Sequence, residues 1–224
     1  MGHPIQRIPK TDADPRRRAA DRAMLLERIA IGLAHEGKNP LHNMVLHLQL
    51  MAEKLAAPSV QGSPIEKHVA ALRDGIGRVD HLLKAFGEFA APEHLPADVG
   101  AAVSRAEQLL AYEARRAGVH VQHHGPPALL VRSDSRYLGD LVAHAFVACI
   151  EFTREGGHVD GVLEPRGAVA VLELRAEGGL GSREHALLHV EAARSLAPDA
   201  ACELSVETPA AGGARLSLSF LHPR

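Results

Sequence analysis

Tryptophan is missing from this 224-residue chain, and aromatic residues make up only 3% of it. Any core must therefore be filled by Leu, Val, Ile and Ala, which the 46% hydrophobic share can supply. An excess of charge is missing too: the formal net charge is −2, which gives no basic field for nucleic acid. Cysteine is scarce. Cys149 and Cys202 lie far apart without metal-ligand spacing, so reduced, buried thiols are expected and no metal site is expected. No apolar run approaches the roughly 20 residues needed to cross a bilayer. The N-terminal stretch, with Pro15-Arg16-Arg17-Arg18, lacks the apolar core of a signal peptide. These absences point to a cytoplasmic protein that contacts neither membrane nor nucleic acid.

What is present begins with helical periodicity. Residues 1–13 read as a polar tail, and residues 14–91 as a helical hairpin. Leu41, Met44, Leu48, Met51 and Leu55 recur at spacings of 3 and 4, the seam of a coiled coil, and the same register extended backwards takes in Ala34 and Gly37. His35 then falls one step off the seam, facing outward, with Asn39 one turn on. Residues 58–62 read as a turn, and Ser63-Pro64-Ile65-Glu66 as a capping box opening a second helix. That helix carries Ile65, Val69, Leu72, Ile76, Val79, Leu83 and Phe86 in unbroken 4-3 spacing. A lone hairpin leaves half of each apolar stripe in water, so two hairpins pairing as a dimeric four-helix bundle are expected.

After a linker at 92–96, residues 97–224 alternate. Helices are expected at 99–117, 135–153 and 184–196, and strands at 119–122, 129–131, 159–163, 169–174, 203–207 and 215–220. Helices grouped against a mixed, mostly antiparallel sheet make an α/β sandwich, so the whole chain is of α+β class.

The stretch Ala34-His35-Glu36-Gly37-Lys38-Asn39-Pro40-Leu41 resembles the H-box of bacterial sensor histidine kinases. The order of elements after the hairpin is similar to that family's ATP-binding domain, and the likeness spans about residues 20–221. The resemblance implies that His35 is a phosphoacceptor. It makes Glu36 the acidic neighbour that orients and activates the imidazole, and Asn39 the residue that positions phosphate or a water. Lys38 and Pro40 are supporting positions. Neutral imidazole, with an unperturbed pKa of about 6.5, is a competent nucleophile at pH 7. Pro40 frees the carbonyl of Glu36, and Gly37 weakens the helix by about 1 kcal/mol relative to Ala, so local looseness is expected there.

The resemblance fails at the nucleotide site. Counted back from Gly156-Gly157, the positions of the family's Mg²⁺- and phosphate-binding asparagines are His144 and Ala148. Alanine offers no oxygen to a hard cation. The aspartate that binds adenine would stand at Ala176, with Glu177 one place off, and Gly178-Gly179-Leu180-Gly181 runs into the next helix with no room for a lid. The expectation is a histidine phosphotransferase of a two-component phosphorelay that needs neither ATP nor a cofactor of its own. His35 would take a phosphoryl group from the aspartate of a receiver domain, which brings its Mg²⁺, and pass it to a response regulator. With 34 residues before His35, any sensory input is expected from another protein. Two alternatives stand beside this reading. One is a pseudokinase that binds a kinase or regulator without phosphotransfer, and the other a histidine kinase with an unorthodox nucleotide site.

Overall fold

A computed structural model describes residues 15–56, 65–91, 96–177, 183–208 and 213–223. The tail, the turn at 58–62, the capping box at 63–64, most of the linker and the glycine-rich stretch at 178–181 lie outside the described residues. Two long helices come first, α1 (Pro15–Ala56) and α2 (Ile65–Ala90). The rest follows as α3 (Val99–Leu109), α4 (Ala111–Arg116), β1 (His120–His124), α5 (Ser135–Phe152), β2 (His158–Arg166), β3 (Val169–Ala176), α6 (Arg183–Leu196), β4 (Cys202–Glu207) and β5 (Ala214–Leu221). The class is α+β, a helical hairpin followed by a two-layer α/β sandwich.

The five strands lie in the order β1-β2-β3-β5-β4, with β1 parallel to β2 and the other pairs antiparallel. One face of this sheet presents Val159, Leu163, Leu172, Leu174, Leu216, Leu218 and Phe220, each at most 1% exposed. Period-2 alternation puts these side chains on a common face, against which α5 packs. Asp98 and Asp134 start α3 and α5 by accepting from the backbone N–H groups of Ala101 and Arg136. Both cysteines are buried and free, and burial pushes each thiol up to about 12.

The expected elements need three corrections. The helix at 99–117 is broken at Leu110 (φ −96°, ψ 3°), which lets Leu109 and Leu110 both enter the core and turns α4 toward α1. The segment at 129–131 makes a single bridge, Asp98 to Leu130, and no strand. The seam of α1 divides in two: Met44 and Met51 are partly covered, whereas Leu41, Leu48 and Leu55 stand about half or more exposed. A single 3-4 stripe therefore serves two neighbours. At Gly75 of α2 a Cβ would come within 2.7 Å of Met44 Cγ, so the hairpin is closely packed there.

The core does not stop at the linker. Leu25 and Ile29 of α1, with Ala85 and Phe89 of α2, join the same apolar cluster as α3, α5 and the sheet. Ion pairs tie this root down: Arg18 to Asp199 (2.6 Å), Arg22 to Asp140 (2.6 Å), Arg28 to Glu151 (2.8 Å) and Arg105 to Glu88 (3.1 Å).

Candidate functional site

His35 lies on the exposed side of α1, and Asn39 stands one turn further along the same side. The helix runs unbroken through Pro40. Lys38 and Asn39 line a shallow polar hollow of about 380 Å³ with His42 and Asn43. On the other side of Lys38 a mostly apolar groove of about 860 Å³ runs between α1 and α2. Ala34 and Gly37 line it beside Leu41, Val45, Val79 and Leu83, so the small residues of the H-box line the groove. A Cβ on Gly37 would meet nothing within 4 Å, which leaves that side of α1 open for a neighbour.

Almost nothing in the sequence announces that α4, the second half of the helix expected at 99–117, meets the H-box. The ring of Tyr112 stacks on the imidazole of His35, with centroids 4.5 Å apart and planes 5° from parallel. One turn on, Arg115 forms an ion pair with Glu36. Adjacent residues of α1 are thus met by two residues of one α4 face. Gly32, one turn before His35, is buried, and a Cβ there would come within 3.2 Å of Tyr112 Cβ. The absence of a side chain at Gly32 admits Tyr112. Its single sequence signal was a glycine one helical turn before the histidine.

The positions that the resemblance assigns to a nucleotide site, His144, Ala148 and Ala176, lie away from His35 and are buried. On α5, residues 140–150 are all buried, and Ala148 is 0% exposed. His144 sits in the core with its Nδ1 2.9 Å from Nδ1 of His189 on α6. Burial is the main cause that pushes His144 down to about 3 and His189 to about 4, so both rings are neutral at pH 7 and one donates to the other. Ala176 is buried at the end of β3, whereas Glu177 faces solvent and pairs with His158 at 3.3 Å. A second histidine pair, His47 and His68, meets inside the hairpin at 3.0 Å. His123 binds Glu107 (2.6 Å), and His120 stacks on His158. Among the described residues no three potential ligands gather to hold a metal, and no helix is long and apolar enough to cross a membrane.

No protein-family model matches the chain, and no curated protein matches it either. Solved structures are similar to it. The histidine kinase AdeS of Acinetobacter baumannii aligns over 85% of this chain and 98% of its own at 12% identity, with a TM-score of 0.48. A bacterial phosphotransferase aligns over 93% of this chain and 98% of its own at 13% identity, TM-score 0.47. The catalytic domain of the histidine kinase ThkA aligns over 57% of this chain and 96% of its own, at 13% identity and TM-score 0.47. The structural neighbours named here are thus histidine kinases and a phosphotransferase. At such identities no residue's role passes from them to this chain.

Proposed function

We propose that the chain is a dimeric histidine phosphotransferase of a two-component relay, which accepts a phosphoryl group on His35 from a receiver aspartate and passes it on without binding ATP. One contrast carries this reading: His35 is exposed on α1, whereas His144 and Ala148, where the resemblance would put nucleotide-binding asparagines, are buried in the core. An exposed imidazole suits a partner that brings its own phosphate and Mg²⁺, since phosphoryl transfer is chiefly a matter of positioning and charge stabilisation. Incubating the protein with a phosphorylated receiver should place label on His35, and His35→Ala should abolish it. Label acquired from [γ-³²P]ATP alone would overturn the proposal.

The half-exposed stripe of Leu41, Leu48, Leu55, Ile76 and Leu83 supports the dimer, because a second hairpin would bury both stripes at once. Leu48→Glu is expected to turn the dimer into a monomer in light scattering. A fully dimeric variant would refute the four-helix bundle.

A further inference from the structure

Phosphorylation of His35 creates an electrostatic problem that α1 alone does not solve. A phosphoryl group carries roughly −1.5 to −2 charge at neutral pH, and it would arrive beside the carboxylate of Glu36. A cation is already in place there. Arg115 of α4 engages Glu36, and its side chain remains 59% exposed, on a long stem free to re-aim. Guanidinium groups bind phosphate bidentately and are more weakly hydrated than lysine. Tyr112, on the same α4 face, lies parallel over one face of the imidazole and restricts rotation of the ring.

Resting on the phosphoacceptor reading of His35, we propose that α4 is the phosphoryl-holding side of the site. Arg115 leaves Glu36 and takes the phosphoryl oxygens, while Tyr112, admitted by Gly32, fixes the plane of the ring. In the transfer, the bond from phosphorus to the receiver's aspartate oxygen breaks and its electron pair stays with the carboxylate. A ring nitrogen of His35 gives its lone pair to the new phosphorus–nitrogen bond, and the other ring nitrogen keeps its proton. Arg115 meets charge on the transferring group, so it acts on the reacting atoms. Tyr112 is a positioning residue. The second domain thereby serves the histidine of its own chain although its α5 surface is closed.

Full-length protein is mixed with phosphorylated receiver, and separately with phosphoramidate as a small phosphoryl donor. Transfer to His35 is timed, and the phosphohistidine is observed by ³¹P NMR. Arg115→Ala should slow transfer from the receiver roughly 10- to 100-fold, the weight of one hydrogen bond to a charged group. Arg115→Lys should recover part of the rate, and the ³¹P resonance should shift between wild type and Arg115→Ala. Gly32→Ala should slow transfer less, with Tyr112→Phe, which keeps the stacked ring, near wild type. Equal rates and an unmoved resonance in Arg115→Ala, with His35 still labelled in wild type, would overturn this inference and leave the phosphoacceptor reading standing. Failure of wild-type His35 to take label from the receiver would overturn both.

Discussion

Acidification from pH 6.5 to pH 4 is expected to remove about 3–4 kcal/mol of stability, and the His144–His189 pair is the cause. Both rings are held neutral by burial, at about 3 and about 4, against an unfolded value of 6.5. Between those limits the unfolded chain binds more protons than the native one, so stability falls as pH falls. At about 1.4 kcal/mol per unit, the two histidines together cost about 5–6 kcal/mol over that range. Asp140 acts in the opposite sense. Burial raises its carboxyl to about 6 despite Arg22, so native Asp140 takes up a proton before its unfolded counterpart does, returning about 2 kcal/mol. The histidines win. Urea unfolding followed by circular dichroism at pH 7, 6, 5 and 4, at one fixed protein concentration, measures the slope. In His144→Leu/His189→Leu, which removes both partners of the hydrogen bond, the contribution of these groups should reverse sign, leaving Asp140 alone. An unchanged slope in that variant would refute the assignment.

The outline of the molecule was legible because its main signals are periodic or punctuated. Spacings of 3 and 4 gave both long helices, Gly156-Gly157 marked the turn before β2, and the motif around His35 named an exposed histidine on the helix that carries it. Periodicity reports that a face is apolar and is silent about which neighbour covers it. Met44 and Leu48 therefore share one seam in the sequence, although the first packs in the hairpin and the second is left exposed. The break at Leu110 has no glycine or proline to announce it, since it answers the needs of two leucines in a core that sequence does not display. Tyr112 and Arg115 were hidden for the same reason: their partners, His35 and Glu36, are more than seventy positions away. In the sequence His144 stands out only as a histidine where the resemblance implies an asparagine. Its actual partner, His189, depends on how α6 packs onto α5.

Replacing Arg28 by methionine should lower the melting temperature by roughly 5–15 °C, the equivalent of about 2–4 kcal/mol in a protein of this size. Arg28 reaches from α1 to two carboxylates of the second domain, Glu151 at 2.8 Å and Glu113 at 3.7 Å. Glu113 is only 5% exposed and keeps a second partner in Arg116 at 2.7 Å, so Glu151 bears most of the loss. Methionine preserves the apolar stem of the side chain, and the effect therefore reports charge more than packing. Arg28→Met/Glu151→Gln should regain part of the stability, because a buried charge left without its partner is worse than a neutral pair. The arginine also helps hold His144 and His189 low, and Glu151 pulls His189 the other way. Loss of Arg28 should thus raise both histidines and flatten the acid dependence while stability at pH 7 falls. A variant that lost stability equally at every pH would show that Arg28 fastens the hairpin root without acting on the histidine pair.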